Sequence, residues 1–221
     1  MHNENGKNQT ITSDKLILVE GKDEFYFVRE MLRNYEIHNV DIICFDGSNN
    51  GGLSKIIDFF TKIQQIKWNN LKCLIVFRDA EKDYQASIQS IKATFKKYNL
   101  PVPNDNLEYS FNNGHTLKTS FIIIRDFDDK GILKNSGCLE DLCVKIIYDD
   151  KNLITCTDKY LDEVEKNYNH KLMRRHKARL HAYFALHEKA RGREIFQAVE
   201  NNIFNWNSPY LENIKKLLQE I

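Results

Sequence analysis

The sequence predicts an α/β fold in which a mostly parallel sheet is flanked by helices and followed by a helical extension. Short unbroken apolar runs at residues 16–19 and 74–77 are typical of strands that are buried on both faces. Segments of helical length separate these runs, which favours right-handed crossovers between parallel strands. After residue 130 only helical patterns follow, so we expect the extension there.

Three strand–helix repeats and two further strands account for the first half of the chain. The predicted strands lie at residues 15–20, 40–45, 73–77, 107–111 and 120–125. The predicted helices between them lie at residues 23–35, 53–64 and 84–98. Pro101 and Pro103 end the third helix. A turn at residues 112–115 joins the last two strands, and we expect these strands to pair antiparallel at one edge of the sheet.

The second half contains helical patterns that suggest a soft boundary near residues 130–138. The predicted helices lie at residues 139–148, 157–168, 171–191, 193–201 and 208–219. We therefore expect a flexible N-terminus at residues 1–13, an α/β domain at 14–130 and a helical extension at 131–221 that packs on it.

Composition is ordinary for a soluble globular protein, with 221 residues, 42% hydrophobic residues, 29% charged residues and a net charge of +1. No apolar run approaches the length of a membrane span and no signal peptide is evident, so we expect a cytoplasmic protein. The five cysteines form no C-x-x-C motif. This pattern argues against a disulfide framework or a zinc cluster.

Charged residues follow two of the predicted strands where those strands end. Glu20, Gly21 and Lys22 follow the first strand, and Asp79 and Glu81 follow the third. In open α/β sheets, ligands bind at the carboxyl ends of the strands. Carboxylates suit Mg²⁺, and in an extended chain residues two apart point the same way, so both acids can face one ion. Glu20 can supply a third carboxylate or act as an acid–base group.

A phosphate group would fit beside these acids. Gly21 lets a ligand approach the backbone, while the start of the first helix and Lys22 favour negative charge. The alternative is a solvated loop in which the carboxylates only cap helices, a role that suits Asp23 and Asp83.

These residues resemble the Toprim family, the nucleotidyl-transfer and hydrolysis domain of type IA and type II topoisomerases, DnaG-type primases, OLD-family nucleases and ribosomal-RNA maturases. That family has a Glu-Gly strand end, a glycine-bearing loop after the second strand and Asp-x-Asp after the third. The corresponding residues here are Glu20-Gly21, the loop at 46–48 and Asp79-Ala80-Glu81. Glu81 departs from the usual Asp, and Asp83 is a candidate to compensate.

The resemblance implies a Rossmann-like Toprim sheet, Mg²⁺ or Mn²⁺ as cofactor, and phosphodiester hydrolysis or phosphotransfer. It assigns catalysis and metal binding to Glu20, Asp79 and Glu81. A later stretch, residues 137–142, resembles an uncharacterised prokaryotic branch of Toprim-like proteins that is distantly related to OLD-family nucleases. In that branch Glu140 is a further candidate metal ligand. Lys177 would bind phosphate, and Trp206 fits the same helical tail.

Residues 171–193 are strongly basic, with eight Lys or Arg residues against one acid, Glu188. Lys171, Arg175 and Arg179 would share one helical face, which is typical either of a phosphate-binding surface or of a solvated face. Three histidines lie in the same segment. We interpret them as packing or surface residues because they lack a matched metal-binding partner.

Two hypotheses about function remain open. The first is a metal-dependent enzyme that acts on nucleic acid, and the second is a non-catalytic module that senses a nucleotide or nucleic acid, for example in phage defence. A phosphate-binding Walker loop at residues 46–54 is disfavoured because the Gly-Lys-Ser/Thr ending is absent. A receiver domain with Asp79 as phosphoacceptor is disfavoured because an acidic pair after the first strand is missing.

Overall fold

The computed structural model describes residues 10–45, 52–111, 116–128, 130–147, 151–168, 172, 174–188, 190, 195, 198 and 202–221. The predictions for residues 46–51 of the glycine-bearing loop, for the 112–115 turn and for most of a helix at 193–201 lie outside the described residues. Within the described part of the chain, no helix combines the length and hydrophobicity needed to cross a membrane.

A five-stranded sheet forms the centre of the protein. Its strands are β1 (Lys15–Val19), β2 (Asp41–Cys44), β3 (Cys73–Asp79), β4 (Ser110–Phe111) and β5 (Lys118–Ile124), in the order β2-β1-β3-β5-β4. The first three neighbouring pairs are parallel and β4 pairs antiparallel with β5 at the edge. The prediction of a mostly parallel sheet with an antiparallel edge is therefore confirmed.

Helices cover both faces of this sheet. They are α1 (Lys22–Asn34), α2 (Leu53–Ile63), α3 (Gln65–Asn69), α4 (Tyr84–Lys97), α5 (Leu139–Ile146), α6 (Lys151–Tyr168), α7 (Arg175–Leu186) and α8 (Glu212–Gln219), with a 3₁₀ turn at Pro209–Leu211 before the last. The short helix α3 was not predicted from the sequence.

Alternate strand residues point to opposite faces and enter two separate cores. Ile17 and Ile75 pack on one face with α1 and with helices from the second half of the chain. Leu16 and Leu74 pack on the other face with α2 and α4. Because both faces are covered, the strands carry the unbroken apolar runs that made them predictable.

The helices after residue 130 share the core of the first face. Leu180 and Phe184 of α7 are buried there, as are Phe204 and Trp206. The hydroxyl of Tyr35 donates a hydrogen bond of 2.9 Å to the backbone oxygen of Trp206. Trp206 is thus a core residue that ties the end of α1 to the C-terminal segment.

The structure differs from the predicted elements at several boundaries. Strand β3 continues to Asp79, so this residue is part of the strand and does not follow it. Strand β4 is only two residues long because Leu107, with φ of 62°, breaks the extended conformation expected from residue 107. Helix α6 begins at Lys151, six residues earlier than predicted.

Gly137 sits at a close backbone approach beside β3. It has φ of 150°, and a Cβ atom there would lie 2.0 Å from the backbone nitrogen of Asp126. We expect Gly137→Ala to lower the free energy of unfolding by about 3 kcal/mol in urea denaturation. Gly131→Ala is the matched control, because Gly131 also has positive φ but no atom near the added Cβ, and it should cost about 1 kcal/mol. Equal losses in the two variants would contradict the steric argument.

Candidate metal centre

Asp79 is the central acidic group of the site. The side chain ends β3 and only 8% of the residue is exposed. Its Oδ1 atom has no hydrogen-bond partner among the described residues. Burial, followed by the negative charges of Glu24, Glu140 and Glu20, raises the pKa of Asp79 well above its usual value. A buried carboxylate in this setting needs either a proton or a cation.

Glu20 follows β1 directly, and the parallel register of Val19 opposite Phe77 sets it level with Arg78, one residue before Asp79. Arg78, the residue before Asp79, places its Nε 3.3 Å from Oε2 of Glu20, and both side chains are half-buried. The predicted meeting of the two strand ends is therefore observed. No sequence pattern assigns a role to Arg78, although its side chain offsets part of the local negative charge.

Glu24 is a site residue that sequence reasoning missed. Burial raises its pKa to about 7, and the charges of Asp23, Glu20 and Glu140 add to the effect. Its Oε2 accepts a hydrogen bond of 2.9 Å from the backbone N–H of Gly21. This is the glutamate half of a capping box at the start of α1, because Gly21 has no side chain to complete the motif.

Gly21 and Lys22, the predicted phosphate-binding residues, lie at the same helix start. A Cβ atom on Gly21 would lie 2.9 Å from Oε2 of Glu24, so glycine here permits the capping contact. Lys22 is exposed, with its Nζ 5.8 Å from the centre of the Tyr26 ring. A phosphate-binding role for both residues stays a prediction.

Glu81 does not follow the extended geometry expected of it. Its φ of 55° turns the chain, and its backbone pairs in both directions with Gly137 at 2.9 and 3.0 Å. The argument that residues 79 and 81 point the same way because the chain is extended was therefore wrong. Nevertheless, Asp79 and Glu81 line the same cavity.

Asp83 has a structural role at the start of α4. Its Oδ1 accepts hydrogen bonds from the backbone nitrogens of Gln85 and Ala86, at 2.9 and 3.1 Å. This is the helix-capping alternative considered from the sequence. Asp83 does not contribute to the lining of the cavity that contains Asp79, and metal binding by Asp83 stays an unsupported prediction.

A cavity of about 740 Å³ extends from Asp79 to α5 and α7. Glu140 of α5 lines it and is only 5% exposed. Lys177 of α7 places its Nζ 2.8 Å from Oε1 of Glu140. Although burial raises the pKa of Glu140, hydrogen bonds from Lys177 and Cys138 outweigh burial and hold it below the usual value. Glu140 is therefore an ionised buried carboxylate at this wall of the cavity.

The basic segment is arranged differently from the expected phosphate-binding face. Arg175 pairs with Asp162 and Glu165 of α6, at 2.5 and 2.6 Å. Arg179 pairs with Asp158 of α6 at 2.6 Å. The two arginines thus turn towards the acidic side of α6, while Lys171 lies outside the described residues. The expectation of one open basic face on this helix was wrong for its described members.

Cys138 and His176 also belong to the cavity wall, and sequence reasoning assigned neither to the site. Ligand atoms of Cys138, Glu140 and His176 all lie within 4.8 Å of one another. Cys138 and Glu140 are two residues apart at the start of α5, but His176 comes from α7. The cluster has no local sequence motif, because His176 is remote in sequence from the other two residues.

Comparison of the sequence with protein-family profiles identifies the family of this chain. The sequence profile of a family described as "Protein of unknown function (DUF3226)" matches residues 14–221. The chain belongs to this family. No match is found among the curated proteins.

Two solved structures resemble the DUF3226 chain over nearly its whole length. One is the C-terminal region of the Xanthomonas campestris pv. campestris OLD protein, with 8% identity and a TM-score of 0.43, covering 96% of this chain and 97% of that one. The other is the C-terminal region of the Burkholderia pseudomallei OLD protein, with 9% identity and a TM-score of 0.41, covering 94% and 98%.

Removing the partner of buried Glu140 should destabilise this DUF3226 protein. We expect Lys177→Met to lower the free energy of unfolding by about 2 kcal/mol, because Glu140 would keep its charge in a buried position without a cation. Adding Glu140→Gln should restore part of the loss. Lys216→Met is the control, since Lys216 pairs with Glu212 on the exposed side of α8 and should cost less than about 0.5 kcal/mol. Urea denaturation measures all four proteins, and equal losses in the two lysine variants would contradict the assignment.

Stability of the metal-free protein should fall as pH rises from 5 to 8. The pKa of Glu24 is about 7 in the folded protein against a usual 4.5, so the folded state binds more protons than the unfolded state between these values. The unfolding free energy therefore decreases through this window, by about 3 kcal/mol for Glu24 alone. Glu24→Gln should flatten the profile measured by urea denaturation, whereas Asp58→Asn, on the solvent side of α2, should not. An unchanged slope in Glu24→Gln would refute the shift.

Proposed function

We propose that the protein is a divalent-metal-dependent enzyme that hydrolyses or transfers phosphodiesters of nucleic acid. The observation that carries the proposal is the buried Oδ1 of Asp79, which has no partner among the described residues and lies among other carboxylates. Its position at the carboxyl end of a parallel strand is where ligands bind in such sheets. The resemblance of the strand ends to the Toprim pattern supports the same chemistry.

The residues fit a hard divalent cation. Glu20, Asp79 and Glu81 are the proposed ligands, with Glu140 on the facing wall, and their oxygen atoms suit Mg²⁺ or Mn²⁺. A bound ion would neutralise phosphate charge and lower the pKa of a water molecule. Arg78 holds Glu20 at the strand end through the 3.3 Å contact, so Glu20 is kept in place either to bind the ion or to accept a proton.

Glu24 is suited to exchanging a proton at neutral pH. In the metal-free protein its pKa is about 7, so this carboxyl can gain or lose a proton near neutral pH, as a general acid or base must. Gly21 and Lys22 at the start of α1 are the proposed phosphate contacts, with Lys177 across the cavity. Since Lys177 is paired with Glu140, its contact with phosphate would have to compete with that ion pair.

A second candidate is a non-catalytic module that binds a nucleotide or nucleic acid. The observation that favours it is Glu81, which replaces the usual Asp of the Toprim pattern and lies on a turned, exposed segment. This geometry would weaken a ligand that catalysis needs. Binding without turnover would then be the expected behaviour.

Hydrolysis of end-labelled single-stranded DNA and RNA, with Mg²⁺ or Mn²⁺, tests the enzyme. We expect metal-dependent cleavage by the wild type and a loss of about 100-fold in Asp79→Asn and in Glu20→Gln, because each removes a charged ligand. Asp58→Asn should retain full activity, since Asp58 pairs with Lys62 on α2.

The outcomes separate the two candidates. Equal residual activity in the wild type and the two site variants would refute the enzyme. Tight binding of an oligonucleotide or nucleotide in calorimetry, without product, would favour the sensor module in its place.

A further inference from the structure

We propose that Cys138, Glu140 and His176 form a second cation site, which takes a borderline-soft transition metal such as Zn²⁺. Their ligand atoms, one sulfur, one carboxylate oxygen and one imidazole nitrogen, lie within 4.8 Å of one another at the cavity wall. A thiol and an imidazole select transition metals, whereas Mg²⁺ prefers oxygen atoms alone. The site is therefore distinct in chemistry from the oxygen-ligand site of the proposed phosphodiester reaction.

Two packed helices hold the three ligands in place. Cys138 is the N-cap of α5, where its backbone N–H donates to Oδ2 of Asp141 at 3.2 Å. Glu140 follows in the first turn of the same helix. His176 lies near the start of α7, four residues before the fully buried Leu180, which anchors α7 in the core. The fold already brings the three ligands together, so metal binding would not require a loop to close.

Glu140 and Cys138 can both still bind a metal ion, although each already has a partner. Lys177 contacts Oε1 of Glu140, and a carboxylate has a second oxygen and further lone pairs. The Cys138 thiol is 3.1 Å from Oδ2 of Asp141. On binding, the metal–sulfur bond forms as the S–H bond breaks, and the proton passes through the Asp141 carboxylate to solvent. No electron is transferred, so no oxidant or reductant is needed.

A second observation indicates that positive charge is needed in this cavity. Asp79, more than nine-tenths buried, lines the same cavity with an Oδ1 that has no partner among the described residues. A cation at the three ligands would place positive charge in the cavity that Asp79 also lines.

Three protein ligands are the number found in catalytic zinc sites, which leave a further position to water or substrate. Structural zinc sites are closed by four ligands, and no fourth Cys or His is brought to the cluster among the described residues. We therefore assign the site to the open class, facing the cavity.

Cobalt provides the test, because Co²⁺ replaces Zn²⁺ in such sites and gives an absorption band from thiolate ligation. The full chain, reduced and freed of metal, is titrated with Co²⁺ in the presence of excess Mg²⁺. We expect one equivalent to bind with a thiolate band that Zn²⁺ displaces. Cys138→Ser should abolish the band, and His176→Asn should weaken Co²⁺ binding at least about 10-fold.

Matched controls come from the same chain. Cys156→Ser removes an exposed thiol on α6, and His181→Asn removes an exposed imidazole on α7, and neither should change the titration. Circular dichroism verifies that each variant is folded. Absence of a thiolate band in the wild type, or its persistence in folded Cys138→Ser, would overturn the proposal.

The two proposals fail separately. Nuclease activity with Mg²⁺ but no thiolate band would overturn only the transition-metal site. A thiolate band in a wild-type protein that shows no metal-dependent cleavage would support the site and count against the phosphodiester reaction alone.

Discussion

Several acidic side chains lie together at the carboxyl end of the sheet, and the rest of the site has to compensate for their negative charge. The parallel register of β1 against β3 sets Glu20 level with Arg78, one residue before Asp79. The capping box of α1 adds Glu24, and α5 brings Glu140 from the other side. Each element is ordinary alone, but together they gather carboxylates where water is largely excluded. Such a cluster opposes folding unless cations or protons offset it.

Among the described residues, cations compensate only some of these acids. Arg78 contacts Glu20, and Lys177 contacts Glu140, so the two flanking acids have internal cations. Asp79 and Glu24 instead respond by raised pKa values, which means that protons replace the missing positive charge. Protons and a metal ion would therefore compete for the same groups, and metal binding would release protons near neutral pH.

Local signals explain what the sequence predicted well. The strands are buried on both faces and carry apolar runs, so their positions, their parallel direction and the meeting of the β1 and β3 strand ends follow from short segments. Glu81 could not be placed in the same way, because its left-handed turn is fixed by pairing with the distant Gly137. Cys138 and His176 meet only through the packing of α5 and α7, and Arg175 is redirected by acids on α6. Contacts between residues that are distant in sequence produce no periodicity or motif from which they could be predicted.

Charge on the cavity wall also limits how a polyanion can approach. Arg175 and Arg179 are engaged with α6, so these two arginines contribute little free positive charge there. Exposed Lys82 and Arg174 line the cavity near its acids, which gives it a negative interior with basic groups at its edge. A phosphate held at that edge would still be repelled by the ionised Glu140. For the proposed phosphodiester reaction, a cation in the interior would therefore be a condition for substrate binding as well as for chemistry.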